Sequence, residues 1–282
     1  MKINYPIIDC HCHIYPEKIA DKAVEGIGKF YHIPMVYDGR LNTLLGENKA
    51  NGITHSLIFS VATKPSQTRS INDFIAQNVA QNLGCFTGLG TLHPDSEDIK
   101  GDIDHIIELG LKGVKLHPDI QGVKIDDQRC YKIYELCEGR LPVLMHTGDK
   151  RYAFSNPENL MPVLKDFPSL TVIGAHFSGY SVWDRVLENL EGYKNLYVDC
   201  SSSLPFITPE KGRELVRFFG SDKVLFATDF PMWKIDQEIA RVESLGLTEQ
   251  EKQNVYYKNA CKLFNIDEKQ ILTKFQKDVE NT

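Results

Sequence analysis

Eight short runs rich in Val, Ile and Leu recur from one end of the chain to the other: residues 6–13, 55–61, 85–92, 113–117, 142–146, 171–176, 196–200 and 224–229. Each is apolar at successive positions, so both faces of the strand it would form need cover, which is the pattern of buried parallel strands. Segments with helical spacing lie between them. Residues 70–82 carry Ile71, Phe74, Ile75 and Val79 on one stripe, and residues 99–109 place Ile103, Ile106 and Ile107 likewise before Gly110. Thr208-Pro209-Glu210 reads as a helix start, and Thr248 to Glu251 as a capping box opening the final helix. Eight strands alternating with helices predict a closed (β/α)8 TIM barrel, one α/β domain over residues 1–282. An open doubly wound sheet would call for a glycine-rich phosphate turn after the first strand, where this chain has His11-Cys12-His13. The longest connection, residues 14–54, is read as mainly irregular, with a helix over residues 17–30 covering the barrel mouth.

A barrel of 282 residues buries its core without staples, so a bound metal would serve function rather than folding. A net charge of -6 without a Lys/Arg-rich run argues against nucleic acid. Seven cysteines without a CxxC pair suit a reducing compartment. Neither a signal-peptide core nor a membrane-length apolar stretch is read in the sequence, so the expectation is a cytoplasmic protein acting on a small molecule.

The local signal is Asp9-Cys10-His11-Cys12-His13. Residues two apart on a strand share a face, so His11 and His13 point together and Cys10 and Cys12 point to the helix layer. Two inward imidazoles make half a metal site, or else two hydrogen-bonded core histidines. Of nine histidines, six fall at the exits of inferred strands: His11, His13, His93, His117, His146 and His176. Strand exits are where barrel enzymes keep their chemistry. Asp229 ends the last apolar run, and a buried carboxylate there needs a metal, a histidine or a turn to cap.

The ordered set DxHxH, KLHP, MHTG, GAHFSG and ATDFP resembles the amidohydrolase superfamily, most nearly the amidohydrolase-related branch that includes aminocarboxymuconate-semialdehyde-type decarboxylases. The likeness runs to Tyr257–Phe264, which resembles that group's last helix. It implies His11, His13, His146 and Asp229 as ligands of one divalent metal, Zn(II) with Mn or Fe as alternatives, and His176 beside the bound water. His176 and Asp229 would move protons. The resemblance also implies a homodimer, and, in binuclear members, a carbamylated lysine at the position of Lys115. Lys115 lies one pleat deeper than His117, so a single ion is expected, with His117 and Arg151 contacting substrate. His93 is read as a loop stabiliser or a site residue, and Trp183 and Trp233 as pocket walls or packing. The reaction favoured is metal-dependent hydrolysis of a small carboxylated or cyclic substrate, the alternative a non-oxidative decarboxylation of an aromatic or muconate-like acid. No GxSxG is present to support a serine hydrolase.

Overall fold

The computed structural model describes residues 3–280. The apolar runs become eight strand positions: β1 Ile8–His13, β2 His55–Phe59, β3 in two pieces (Phe86–Gly88 and Gly90–Thr91), β4 Val114–Leu116, β5 Val143–Met145, β6 Val172–Gly174, β7 Leu196–Asp199 and β8 Val224–Leu225. Each pairs in parallel with the next. The break in β3 is bridged by Leu89, whose N–H donates to Ile58 O at 3.0 Å, and by Gly90 N–H to Gly113 O at 2.9 Å. The ring closes between β8 and β1: Cys10 N–H donates to Phe226 O at 2.9 Å, His13 N–H donates to Phe230 O at 2.8 Å, and Cys12 bridges Phe230. The fold is a (β/α)8 barrel.

Side-chain alternation sorts the two faces of the ring. Val143 and Met145 pack in a large core with helix residues such as Ile133 and Leu160, while Leu144 joins Leu57, Leu89, Ile173 and Leu225 in a smaller one. Lys115 and His146 share the parity of that second set. β1 departs from strict alternation because its register shifts between Asp9 and Cys12. Cys12 therefore joins the helix-side core, as expected, whereas Cys10 packs in the smaller cluster.

Several runs stop short of their predicted ends. The last ladder ends at Leu225 because Phe226 N–H donates to Val255 O, 2.8 Å away in the π-helical turn Asn254–Lys258. The 14–54 connection is more ordered than expected, holding α1 Ala20–Tyr31 and α2 Leu41–Asn51. Next come α3 Thr68–Gln81 and α4 Ile99–Glu108, near their predicted bounds. Thr208 accepts from Lys211 N–H and starts the helix Pro209–Phe219. The Thr248 capping box forms, but the helix it opens, Glu249–Gln253, is not the last: Asn259–Phe264 and Glu268–Glu280 follow. Among the described residues no helix is long and apolar enough to cross a membrane.

Candidate metal centre and active site

At the exit of β1, His11 and His13 meet Asp229 from beyond β8. Nε2 of His11 lies 3.2 Å from Nε2 of His13 and 3.4 Å from Asp229 Oδ1, with His13 Nε2 3.7 Å from that oxygen. One ligand atom from each of the three falls within 4.8 Å of the others. Burial drives the pKa of both imidazoles well below the ordinary 6.5, so they stand neutral with lone pairs to offer. Nδ1 of His11 faces the Asp199 carboxylate, which can only accept, so the proton sits on Nδ1 and the Nε2 lone pair faces Asp229 and His13. Asp199 is itself fixed, its Oδ1 accepting from His176 N–H at 3.1 Å and Ser201 N–H at 3.0 Å. Asp229 adopts a positive φ of 58°, and its Oδ2 accepts from Ser202 Oγ, which in turn accepts from Trp233 Nε1–H at 2.8 Å. Two neutral imidazoles and a carboxylate form a donor set that fits a divalent cation.

His146 reaches the same floor without joining that three-atom cluster. Its Nδ1 is 3.0 Å from His176 Nε2, and its ring stacks on His117 at 4.2 Å. Nδ1 of His176 faces the backbone oxygen of Ser201 at 2.9 Å, an acceptor only. His176 therefore keeps its proton on Nδ1 and accepts from His146 Nδ1–H through Nε2. This leaves His146 Nε2 as a buried lone pair that has no hydrogen-bond partner among the described residues, 3.5 Å from Asp119 Oδ2. Burial raises Asp119 to about 7. The implied fourth ligand thus stands beside the set, in contact with His176.

His176 reaches the floor against strand parity. Its neighbour Ala175 takes the inward place with Ile173, so a continued strand would send His176 to the helix layer. Instead His176, Phe177 and Ser178 all adopt positive φ (62°, 50° and 59°), and this left-handed turn brings the imidazole back over the barrel. Trp183 Nε1–H holds the turn from outside, donating to His176 O at 3.0 Å. The two tryptophans thus brace the site's backbone and its Asp229.

Lys115 is fully buried, and its Nζ donates to His11 Nε2 at 3.2 Å: the long side chain overcomes the extra pleat of depth. Burial lowers its pKa to about 8. His117 does face the cavity, and Tyr31 Oη, from the end of α1, meets its Nε2 at 2.7 Å and His146 Nδ1 at 3.4 Å. Neither Tyr31 nor Asp199 stood out in the sequence, although Asp199 ends an apolar run much as Asp229 does. Arg151 is not where a substrate contact was expected. Its guanidinium forks onto the buried Asp149 carboxylate (2.7–3.2 Å), donates to Phe30 O and lies over the rings of Phe30, Tyr31 and Tyr152. His93 accepts from Asp95 N–H at 3.2 Å, the loop role.

His11, His13, Lys115, His117, His146, His176 and Asp229 form the floor of a cavity of about 660 Å³ whose walls include α1, α3 and Met232. The chain is similar to a 2-amino-3-carboxymuconate-6-semialdehyde decarboxylase of Dictyostelium discoideum, 27% identical over 160 residues. That match covers 54% of this chain and 44% of the relative, so the chain spans less than half of the relative's length in this likeness. Among solved structures, an uncharacterised TIM-barrel protein from Bordetella bronchiseptica superposes with a TM-score of 0.77 at 21% identity, over 93% of this chain and 99% of that one. A dihydroxybenzoic acid decarboxylase from a Polaromonas species, solved with bound manganese and the inhibitor 2-nitroresorcinol, superposes with a TM-score of 0.71 at 17% identity, over 93% and 98%. Both share the fold. The family model for amidohydrolases matches residues 8–266, and the chain belongs to the amidohydrolase family.

Proposed function

We propose that the chain is a metal-dependent, non-oxidative decarboxylase of an aromatic or muconate-like carboxylic acid. The observation that carries this reading is His176, a buried neutral imidazole of defined proton position, set beside the His11–His13–Asp229 cluster at the floor of a deep cavity. A hydrolase would use the same residues, and the motifs alone do not separate the two, although hydrolysis is the reading preferred from the sequence. The relatives reverse that preference, because the curated relative and the manganese-bound neighbour are both decarboxylases.

His11, His13 and Asp229 would hold one divalent ion, with His146 alongside, and that ion supplies a Lewis-acid contact for the substrate's oxygens. The protein's own groups do the rest. Asp199 fixes the ring of His11. Burial lowers His176 to about 4, so an imidazolium formed there gives up its proton readily. The bond between the carboxylate carbon and the ring or chain carbon breaks, and its electron pair stays on that ring or chain carbon. His176 first takes one solvent proton on Nε2, and that proton makes the new C–H bond as carbon dioxide leaves, which returns the ring to its neutral form with the proton on Nδ1. Tyr31 and His117 are placed to orient a hydroxyl substituent.

The test is to incubate protein purified without chelators with hydroxybenzoic and muconate-type acids and measure released carbon dioxide. Ester, lactone and amide substrates run in parallel. Metal-dependent carbon dioxide release is expected. Cleavage of a lactone or amide with no carbon dioxide from any acid would overturn the reading in favour of hydrolysis.

A further inference from the structure

The cavity is divided by chemistry. Its floor holds the imidazoles, Lys115 and Asp229, while one face each of α1 and α3 supplies the apolar walls: Ala23, Ile27 and Phe30 from the first, with Ile19 just before it, and Ile71 and Phe74 from the second. These positions recur at three- and four-residue spacing, so each helix turns a continuous apolar stripe to the cavity. A space of roughly 150 Å³ holds one benzene molecule, and this cavity is about 660 Å³. A single-ring acid on the floor would leave most of the apolar volume unfilled.

Charge is distributed just as unevenly. Among the described residues, the only lysine or arginine lining the cavity above the floor is Lys22, on the exposed side of α1. Arg151 is withheld by Asp149 and by its three aromatic neighbours. Lys115 is committed beside His11. The polar groups that also line the cavity above the floor include the neutral Ser60, Thr63, Gln67 and Ser70 and the exposed Lys22. A second carboxylate carried between the apolar stripes would give up water and meet no buried cation there, a cost that disfavours it.

We infer that the substrate is a monocarboxylic acid with an extended apolar body, a fused ring or an aryl or alkyl substituent, lying between the stripes of α1 and α3, and not a dicarboxylate. The inference rests on the proposed function only in placing the reacting carboxylate at the floor.

Calorimetric binding to the metal-loaded enzyme separates the possibilities, using salicylate, 1-hydroxy-2-naphthoate and 4-hydroxyisophthalate as probes. The naphthoate is expected to bind about 10-fold or more tighter than either of the others. Ile27→Lys and Ile71→Lys, each checked for folding by circular dichroism, should each weaken the naphthoate by a similar factor and strengthen the isophthalate. Isophthalate binding as tightly as the naphthoate, or isophthalate affinity that collapses in Lys22→Ala, would overturn the inference. Carbon dioxide is measured on the same samples. Preferred naphthoate binding without carbon dioxide release from any acid leaves this inference standing and the decarboxylase reading fallen. Release from a tightly bound isophthalate does the reverse.

Discussion

Nδ1 of His11 lies 2.9 Å from Oδ2 of Asp199, so a carboxylate on β7 sets the proton position of an imidazole on β1. With the proton held on Nδ1, the Nε2 lone pair is the one offered beside His13 and Asp229. Asp199→Asn still fits the space, but its amide nitrogen can turn toward the ring and favour the wrong tautomer. Metal affinity is expected to fall by about 10- to 100-fold with little change in melting temperature. His11→Ala and Asp229→Ala should lose the metal outright while the barrel stays folded. Metal titration followed by elemental analysis checks this: wild-type occupancy in His11→Ala or Asp229→Ala would refute the assigned ligand roles, and wild-type affinity in Asp199→Asn would refute its hold on the His11 ring.

Arg151 ties the Asp149 loop to the end of α1. Asp149 is almost wholly buried, and among the described residues its carboxylate accepts, apart from the guanidinium, only from Arg151 N–H. Arg151→Ala should destabilise the protein by about 2 kcal/mol in urea unfolding and expose α1 to proteolysis. Asp149→Asn in the same chain should recover part of the loss, because the stranded charge is gone. A direct substrate contact predicts the opposite pattern: a raised KM with unchanged stability.

The barrel was legible because each strand in a closed ring is covered on both sides, which writes itself into the sequence as runs with no polar face. Parity within those runs also put Lys115 and His117 on one strand face, while His146 was marked by its place at a strand exit and by the resemblance. Parity could not place His176, since a left-handed turn of three residues undoes it, and none of His176, Phe177 and Ser178 is a glycine that would announce such a turn. Tyr31 was hidden for a different reason. It meets His117 across 86 residues of chain, and that encounter depends on how a connecting helix folds back over the mouth. The engagement of Arg151 by Asp149 could not be read beforehand, because the two sit two residues apart in a loop, where spacing carries no directional rule.

Gly148, in the Met145-His146-Thr147-Gly148 stretch, is required by both conformation and space. Its φ is +79°, and a Cβ there would come within 2.5 Å of the backbone of Gly179 and Tyr180, just after the left-handed turn that carries His176. Gly148→Ala must push the two loops apart, at a cost of about 3 kcal/mol. Gly122, at φ +68° with open space for 4 Å around the place a methyl would take, is the control, and Gly122→Ala should cost only about 1 kcal/mol. Equal losses in urea unfolding would show that backbone handedness alone matters at position 148.

His55 offers a pH test away from the metal centre. It is buried on β2, with Nε2 2.9 Å from Thr87 Oγ1 and Nδ1 3.2 Å from Gly84 O. Burial lowers its pKa from 6.5 to about 4, against a smaller upward pull from the Gly84 carbonyl. Between those two values the unfolded chain binds a proton that the folded protein refuses, so acidification favours unfolding. The stabilising contribution is fully present above pH 6.5, falls as the pH drops through the window, and is gone by about pH 4. Integrated over the window it is about 3 kcal/mol. His55→Gln cannot take up that proton. Its urea-unfolding free energy should therefore decline less steeply than the wild type's between pH 6.5 and pH 4, with the two curves parallel above pH 7. Curves that stay parallel through the acid window would mean that His55 is protonated as easily in the folded protein as in the unfolded chain.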